Sequence, residues 1–391
     1  MTDVRGEIQF DHYDEAFAAD PYPVLADLRE RCPVAHSDAH GGFWVATRYA
    51  DIQDLCSRPD AFSSRYSSVP NDIGFGDVVI PPLQLDPPEH TRFKKLLTPV
   101  FAVGQVGPFE PAARTYVADL LDGLVGKGGF DASHDFARLV PTAVLCQILG
   151  VPDDVELLSS LVESILANAA TDPDGAAESG MILLAHVAGI VEQRKAEPGP
   201  DVLSHLLASE VDGEKLSDEE VIFVGILLVL AGIDTTWSTL SLAIHHLATH
   251  PDDQARLRAE PELLGTAMEE LLRAFAPVTV ARQVIDDLDF LGQPLKQGEM
   301  VLVSFPSANR DAVAFDRPDE VVLDRPNNRH LAFGSGIHRC LGIHFARMEL
   351  RVGLEELLAR VPAFELDPDV PVTWARGQVR RPTAVPLRFT A

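Results

Sequence analysis

Cysteine is scarce in this sequence. Four occur in 391 residues, at Cys32, Cys56, Cys146 and Cys340, and none are closely spaced. That excludes a disulfide framework or a zinc site built on paired cysteines, and it fits a reducing cytoplasm, the expected location. Basic residues are few as well. Lys and Arg total 32 against 59 Asp and Glu, a formal charge of −27. Nucleic acid needs a basic face, so it is not an expected partner. Acidity of this size serves solubility first. The start, MTDVRGEIQFDHYDE, has no basic cluster followed by an apolar run, so neither a signal peptide nor a membrane anchor is expected. The longest apolar run, Phe223–Ile233, is too short to span a bilayer and ends at Asp234; a buried helix is expected there. No internal repeat and no low-complexity linker divides the chain.

What is present points to a packed enzyme-sized interior. Hydrophobic residues make up 46% and charged residues 23%, a globular balance. The length suits two ordinary domains or one large core. DPYPVLADLRERC reads as a helix start and FWVATRY as a short strand. Residues 61–85, rich in Ser, Pro, Gly and Asp, read as a long loop of the functional kind. From 89 to about 270, apolar residues recur at three and four, which predicts helices. After Pro277, VTVARQV, LDFLGQPL and MVLVSF predict short strands joined by turns. A helix returns over IHFARMELRVGLEELLARV. The predicted fold class is mainly α with a smaller β portion (α+β), the β-rich part lying at about 278–330 and 361–391.

Three segments carry chemistry. The first is FGSGIHRCLG, Phe333 to Gly342. A useful cysteine is a thiolate, whether nucleophile or metal ligand, and needs positive charge, free N–H groups or a helix N-terminus nearby. His338 and Arg339 supply charge, the glycines leave backbone open, and a helix predicted from Leu341 would aim its dipole at the sulfur. A buried structural cysteine in a Gly-rich turn is the plain alternative. The second segment is AGIDTT, Ala231 to Thr236. It places a glycine, an acid and two hydroxyls inside an apolar helix. A buried carboxylate is costly unless paired or used, and a threonine can bond back to a preceding carbonyl and open the turn. The third is Glu270-x-x-Arg273, whose side chains share a helix face. A second such pair, Glu89 and Arg92, shows how unspecific that spacing is alone.

Together these segments resemble the cytochrome P450 family in its soluble bacterial form. Its haem-ligand pattern Phe-x-x-Gly-x-x-x-Cys-x-Gly is matched at Phe333, Gly336, Cys340 and Gly342, a match expected by chance on the order of 0.001 times in a chain of this composition. The resemblance implies one P450 domain over 1–391, with haem b (iron protoporphyrin IX) between a long central helix and the cysteine loop. It makes Cys340 the iron ligand and assigns propionate contacts to His90, Lys94, Arg282 and His338. At Lys94 the family usually has arginine, a fork rather than a point charge. Asp234 and Thr235 match its acid–alcohol pair, and Glu270 with Arg273 its buried pair behind the haem. Leu227, Leu230, Ala231, Val278, Val280 and Val379 would wall the substrate pocket, under a lid at 65–84.

The implied activity is that of a haem-thiolate monooxygenase. It would activate dioxygen and hydroxylate or epoxidise an apolar small molecule, using electrons from a ferredoxin-type donor and its reductase. That donor would dock on Arg92, Lys94, Lys95, Arg339 and Arg347. Two other readings stay open: a relative driven by peroxide or reducing nitric oxide, and a non-enzymatic haem carrier or gas sensor. Asp234 and Thr235 argue for the dioxygen route, and no output segment argues for a sensor.

Overall fold

A 32-residue helix, Asp218–Thr249, runs through the centre of the molecule. Its start is fixed by a capping box. Ser217 Oγ accepts from the Glu220 N–H at 3.2 Å, and the Glu220 carboxylate accepts from the Ser217 N–H at 2.7 Å. Beyond that cap the sequence is rich in Leu, Ile, Val and Ala, and the helix is buried on most sides. Helices Leu139–Leu149, Pro173–Ala196 and Ile343–Arg360 pack around it. Gly225 allows a close crossing with Pro173–Ala196, because a Cβ there would stand 2.7 Å from Val187 Cγ1. The structure, a computed structural model, describes residues 10–32, 34–70, 78–167, 172–211 and 213–390. The Pro173–Ala196 and Asp218–Thr249 helices are long and apolar enough to cross a membrane. Of the most apolar stretch of each, 22% and 61% respectively is buried against protein.

The β portion sits to one side. Five strands pair in the order Val34–Ser37, Phe43–Ala46, Met300–Ser304, Thr279–Val284, Phe62–Ser63. Only the contact of Phe43–Ala46 with Met300–Ser304 is parallel. Trp44, Phe62, Phe290, Val301 and Phe305 form a second core beneath this sheet. The helices and strands expected from the sequence are present, with several differences: Phe62–Ser63 is a short strand in the stretch read as loop, and Glu210–Val211 pairs with Glu214–Lys215 in the stretch read as helical. A strand at Gly129–Asp131 lies within the stretch read as helical, where it joins Phe364–Leu366 and Pro386–Phe389 in a three-stranded sheet. Local periodicity cannot show it, since its partner is more than 250 residues away. Residues 305–330, read as β-rich, contain a short helix and turns but no strand; their fold follows the charged hub described next.

Glu270 and Arg273 lie on the helix Leu264–Ala274, and neither is exposed at all. Two bonds of 2.8 Å join them through both carboxylate oxygens. The hub is larger than the sequence implied. Glu270 also accepts from Arg325 Nε at 2.8 Å, the Val322 N–H at 2.8 Å and Asn328 Nδ2 at 3.1 Å. Arg273 donates onward to the carbonyls of Asn309, Pro318 and Glu320. Every charge is therefore paired and hydrogen-bonded, the condition under which burial is tolerated. The hub ties down the loop that leads to Phe333. Burial opposes ionisation of Glu270, but the two guanidinium groups prevail and hold its carboxyl below the usual range.

Glu270→Ala is expected to cost about 3–5 kcal/mol, because it strands two buried cations. The drop should appear as a lower denaturant midpoint and weaker haem retention. Glu365→Ala, which removes an exposed pair with Arg388, should leave the midpoint unchanged.

Candidate active site: the Cys340 cleft

The cysteine loop is closed by its own backbone. The Cys340 N–H donates to the Phe333 carbonyl at 2.9 Å, which explains the fixed spacing between those residues. Gly336 has φ +67°, and a Cβ there would stand 1.9 Å from the Cys56 carbonyl oxygen, so no other residue fits. The Phe333 ring is covered by the Arg347 guanidinium at 4.8 Å, and Arg347 is held bidentate by Glu269 at 2.7 Å on both sides. The helix after the cysteine begins at Ile343 with Gly342 as its cap, two residues later than the sequence suggested. The sulfur gains the same benefit, because the Gly342 N–H donates to it and favours the thiolate.

Cys340 is exposed, yet its surroundings desolvate the thiol and push its pKa up. Both hold because the side chain lies deep in the protein and faces an internal cleft. The backbone bond from Gly342 and the charge of Lys94 act against the burial. Lys94 Nζ donates to the Arg339 carbonyl at 2.9 Å. Its charge thus rests on the residue next to the sulfur, a different place from the propionate contact assigned to it.

Two residues before the cysteine, His338 meets two further basic side chains. His90, on the helix Glu89–Leu97, is buried, and its ring centroid lies 4.2 Å from that of His338. Arg282, on the strand Thr279–Val284, is buried as well and depresses both histidines electrostatically. Burial and these neighbours push His90 down to about 4 and His338 to about 2. Nε2 of each histidine is buried without a hydrogen-bond partner among the described residues, an arrangement that costs free energy. Arg282 spends one Nη on the Ala281 carbonyl and has no ion pair among the described residues. Asp86 bears on His90 and Arg282, but it is already engaged by the Ser63 hydroxyl and the Ser64 N–H. Orphaned donors beside an accessible thiol suit a ligand that brings its own carboxylates. The two propionates of a haem, with iron for the sulfur, fit that donor set.

The central helix supplies the opposite side. Ala231 is exposed, and Leu227 and Thr235, four residues to either side, are half-buried on a helix whose middle is mostly buried. Leu230 instead packs in the helical core. Val278 and Val280 are half-buried alternate residues near the edge of the sheet, and Val379 is bridged to Val278. The lid expected at 65–84 includes 71–77, which lie outside the described residues. Its beginning is anchored, since the Ser67 carbonyl accepts from the Ala281 N–H and from Gln378 Nε2.

Within AGIDTT the helix does not open. Thr235 Oγ1 donates to the Ala231 carbonyl at 2.8 Å, and the turn stays helical through Gly232. Asp234 points into protein and pairs with Arg381 at 2.6 Å, both side chains nearly inaccessible. Thr236 bonds Glu349, a buried acid whose pKa burial pushes up to about 8 and whose charge bears on Cys340. Glu349 and Arg381 were not found from the sequence. Nothing in their local spacing marks them, although a lone acid facing inward on the cysteine helix was visible as an exception to its apolar face.

The comparisons with known proteins agree with this geometry. A cytochrome P450 family description matches residues 180–373. A vitamin D(3) 25-hydroxylase of Pseudonocardia autotrophica is 34% identical over 92% of this chain and 91% of its own length. The chain belongs to the cytochrome P450 family. Nocardicin C N-oxygenase of Nocardia uniformis is 33% identical over 96% of this chain and 98% of its own. The solved P450 CYP109Q5 of Chondromyces apiculatus superimposes with a TM-score of 0.89 at 31% identity, covering 99% and 100% of the two chains. CYP109E1 of Bacillus megaterium, solved with corticosterone, gives 0.85 at 28% identity over 96% of this chain and 100% of its own. This P450 is thus a monooxygenase by family, and the family implies a haem.

Several members of the basic patch expected for a redox partner are engaged within the protein. Arg92 pairs with Glu220 at 2.8 Å, and Arg347 is taken by Glu269. Lys94 turns to the cysteine loop.

A pH effect follows from His90. Its folded pKa, about 4, lies below the ordinary 6.5, so protonation favours the unfolded chain. The stability it contributes is complete above about pH 6.5 and is lost as pH falls toward about 4. In haem-free protein, His90→Gln should flatten the decline of urea-unfolding stability over that window. An unaltered slope would show that His90 is not held neutral.

Proposed function

We propose that this P450 uses haem b to hydroxylate or epoxidise an apolar small molecule with dioxygen, drawing electrons from a separate ferredoxin-type donor. One observation carries the reading: an accessible Cys340 sulfur on the loop of His338, where Nε2 of His338 and of His90 is buried without a partner among the described residues and Arg282 has no ion pair among them. Cys340 would ligate the iron, Phe333, Gly336 and Gly342 would shape its loop, and His90, His338 and Arg282 would hold the propionates. When bound, the haem supplies dioxygen reduction and oxygen-atom transfer.

The chain's own residues bind, orient and move protons. Leu227, Ala231, Val278, Val280 and Val379 offer an aliphatic surface that excludes water around a C–H bond. Relatives named for vitamin D(3) hydroxylation and solved with corticosterone make a compact polycyclic substrate the best-supported choice. Thr235 needs a small rotation to exchange its bond to the Ala231 carbonyl for one into the cleft. Its hydroxyl then orders a proton donor there, and Asp234, one residue away, resupplies it. Lys94, on the carbonyl before Cys340, supports the thiolate.

The reduced carbon monoxide complex should show a thiolate-type Soret band. A band typical of histidine ligation would reject the assignment of Cys340. Thr235→Ala should raise peroxide release per electron pair several-fold while leaving that band intact. Unchanged coupling would remove the hydroxyl from proton delivery.

A further inference from the structure

Asp234 is the acid on which proton supply rests in the function proposed above, and it does not stand free. Its carboxylate oxygen accepts from Arg381 Nη1 at 2.6 Å. The guanidinium lies 3.8 Å over the Trp237 ring, one turn further along the same helix. Trp237 is itself fixed, its Nε1 donating at 3.0 Å to Ser133 Oγ, which also meets Ser241 Oγ and the Pro382 carbonyl. Arg381 therefore has one place to be: stacked on an immobile indole and pointed at one acid. Its charge is the one that bears on Asp234; Glu349, the other buried acid nearby, engages Thr236 instead. Burial pushes Asp234 up and Arg381 opposes that shift.

Two further facts make this more than a structural pair. First, Arg381 Nε, and Ser238 Oγ one helical turn from Asp234, are buried without partners among the described residues. Such atoms call for ordered water or a moving side chain. Second, Arg381 ends an extended segment that runs along the cleft wall. The Thr279 N–H donates to the Gln378 carbonyl and the Arg380 N–H to the Pro277 carbonyl, each at 2.9 Å. Residues two apart on extended chain share a face, so Val379 on the wall and Arg381 on the acid are presented together.

We propose that Arg381 is a positioning residue for proton delivery: its guanidinium, fixed on Trp237 and continuous with the wall at Val379, holds the Asp234 carboxylate as the reservoir behind Thr235. Removing the charge while keeping a hydrogen-bonding group leaves Asp234 buried and unopposed, and the acid then takes up a proton and stops exchanging it.

The test compares Arg381→Gln, Arg381→Lys, Asp234→Asn and the Arg381→Gln/Asp234→Asn double variant as haem-loaded protein. Electron consumption with a surrogate ferredoxin and its reductase is measured in H2O and D2O. Infrared spectra are recorded in the carboxylic-acid region. Arg381→Gln should change the solvent isotope effect at least as much as Asp234→Asn does, and the double variant should add nothing further. Arg381→Lys should restore the parent value. A protonated-carboxyl band should appear in Arg381→Gln and vanish in the double variant. Altered Asp234→Asn with unaltered Arg381→Gln and no new band overturns the role of Arg381 alone. An Asp234→Asn variant with the parent isotope effect overturns the proton relay on which it rests. Should Arg381→Gln fail to load haem, the infrared comparison on haem-free protein still decides whether Arg381 keeps residue 234 ionised.

Discussion

Three consecutive polar residues pass through the middle of an apolar helix, and the site depends on where each is caught. On a helix, neighbours point about 100° apart, so Asp234, Thr235 and Thr236 face three directions. Asp234 meets Arg381 from the C-terminal segment. Thr235 is held by its own helix at the edge of the cleft. Thr236 meets Glu349 from the cysteine helix. An apolar helix accepts such a run only if every polar group is satisfied. The central helix is thereby locked to both elements that complete the site: the one carrying Cys340 and the one carrying Val379.

The same accounting explains the division between satisfied and unsatisfied charge. Around Glu270 every donor and acceptor is used, and that hub behaves as structure. Around His90, His338 and Arg282 the donors are in surplus. A chain of charge −27 has carboxylates in abundance, so a buried basic corner whose neighbouring acid, Asp86, is engaged by Ser63 and Ser64 is a choice of the fold and not a shortage of acid. Placement beside an accessible thiol gives that choice a chemical purpose.

Much of this was legible in the sequence, for a physical reason. Cys340, Gly336 and Phe333 are bound to each other's positions by a closed loop, so their spacing is written locally. Glu270 with Arg273, and Asp234 with Thr235, are close on helices and share that property. Arg325, Glu349 and Arg381 act across long separations and leave no local trace. Lys94 and Leu230 show the other limit. The direction of a long flexible cation, or of one turn's side chain, is set by what stands opposite and is not written in the spacing.

Direction also separates the two buried acids, Asp234 and Glu349. Asp234 has a cation within contact and sits where a carboxylate can persist despite its burial. Glu349 has a hydroxyl and no cation, and near pH 7 it is mostly protonated because burial carries it to about 8. An acid paired with a guanidinium on one side of the central helix and an acid paired with a hydroxyl on the other thus occupy opposite electrostatic settings. Exchange of the two environments would place a second anion beside the thiolate and a silent acid behind the hydroxyl. The asymmetry of their partners, a guanidinium for one and a hydroxyl for the other, is what separates two carboxyls buried to the same degree.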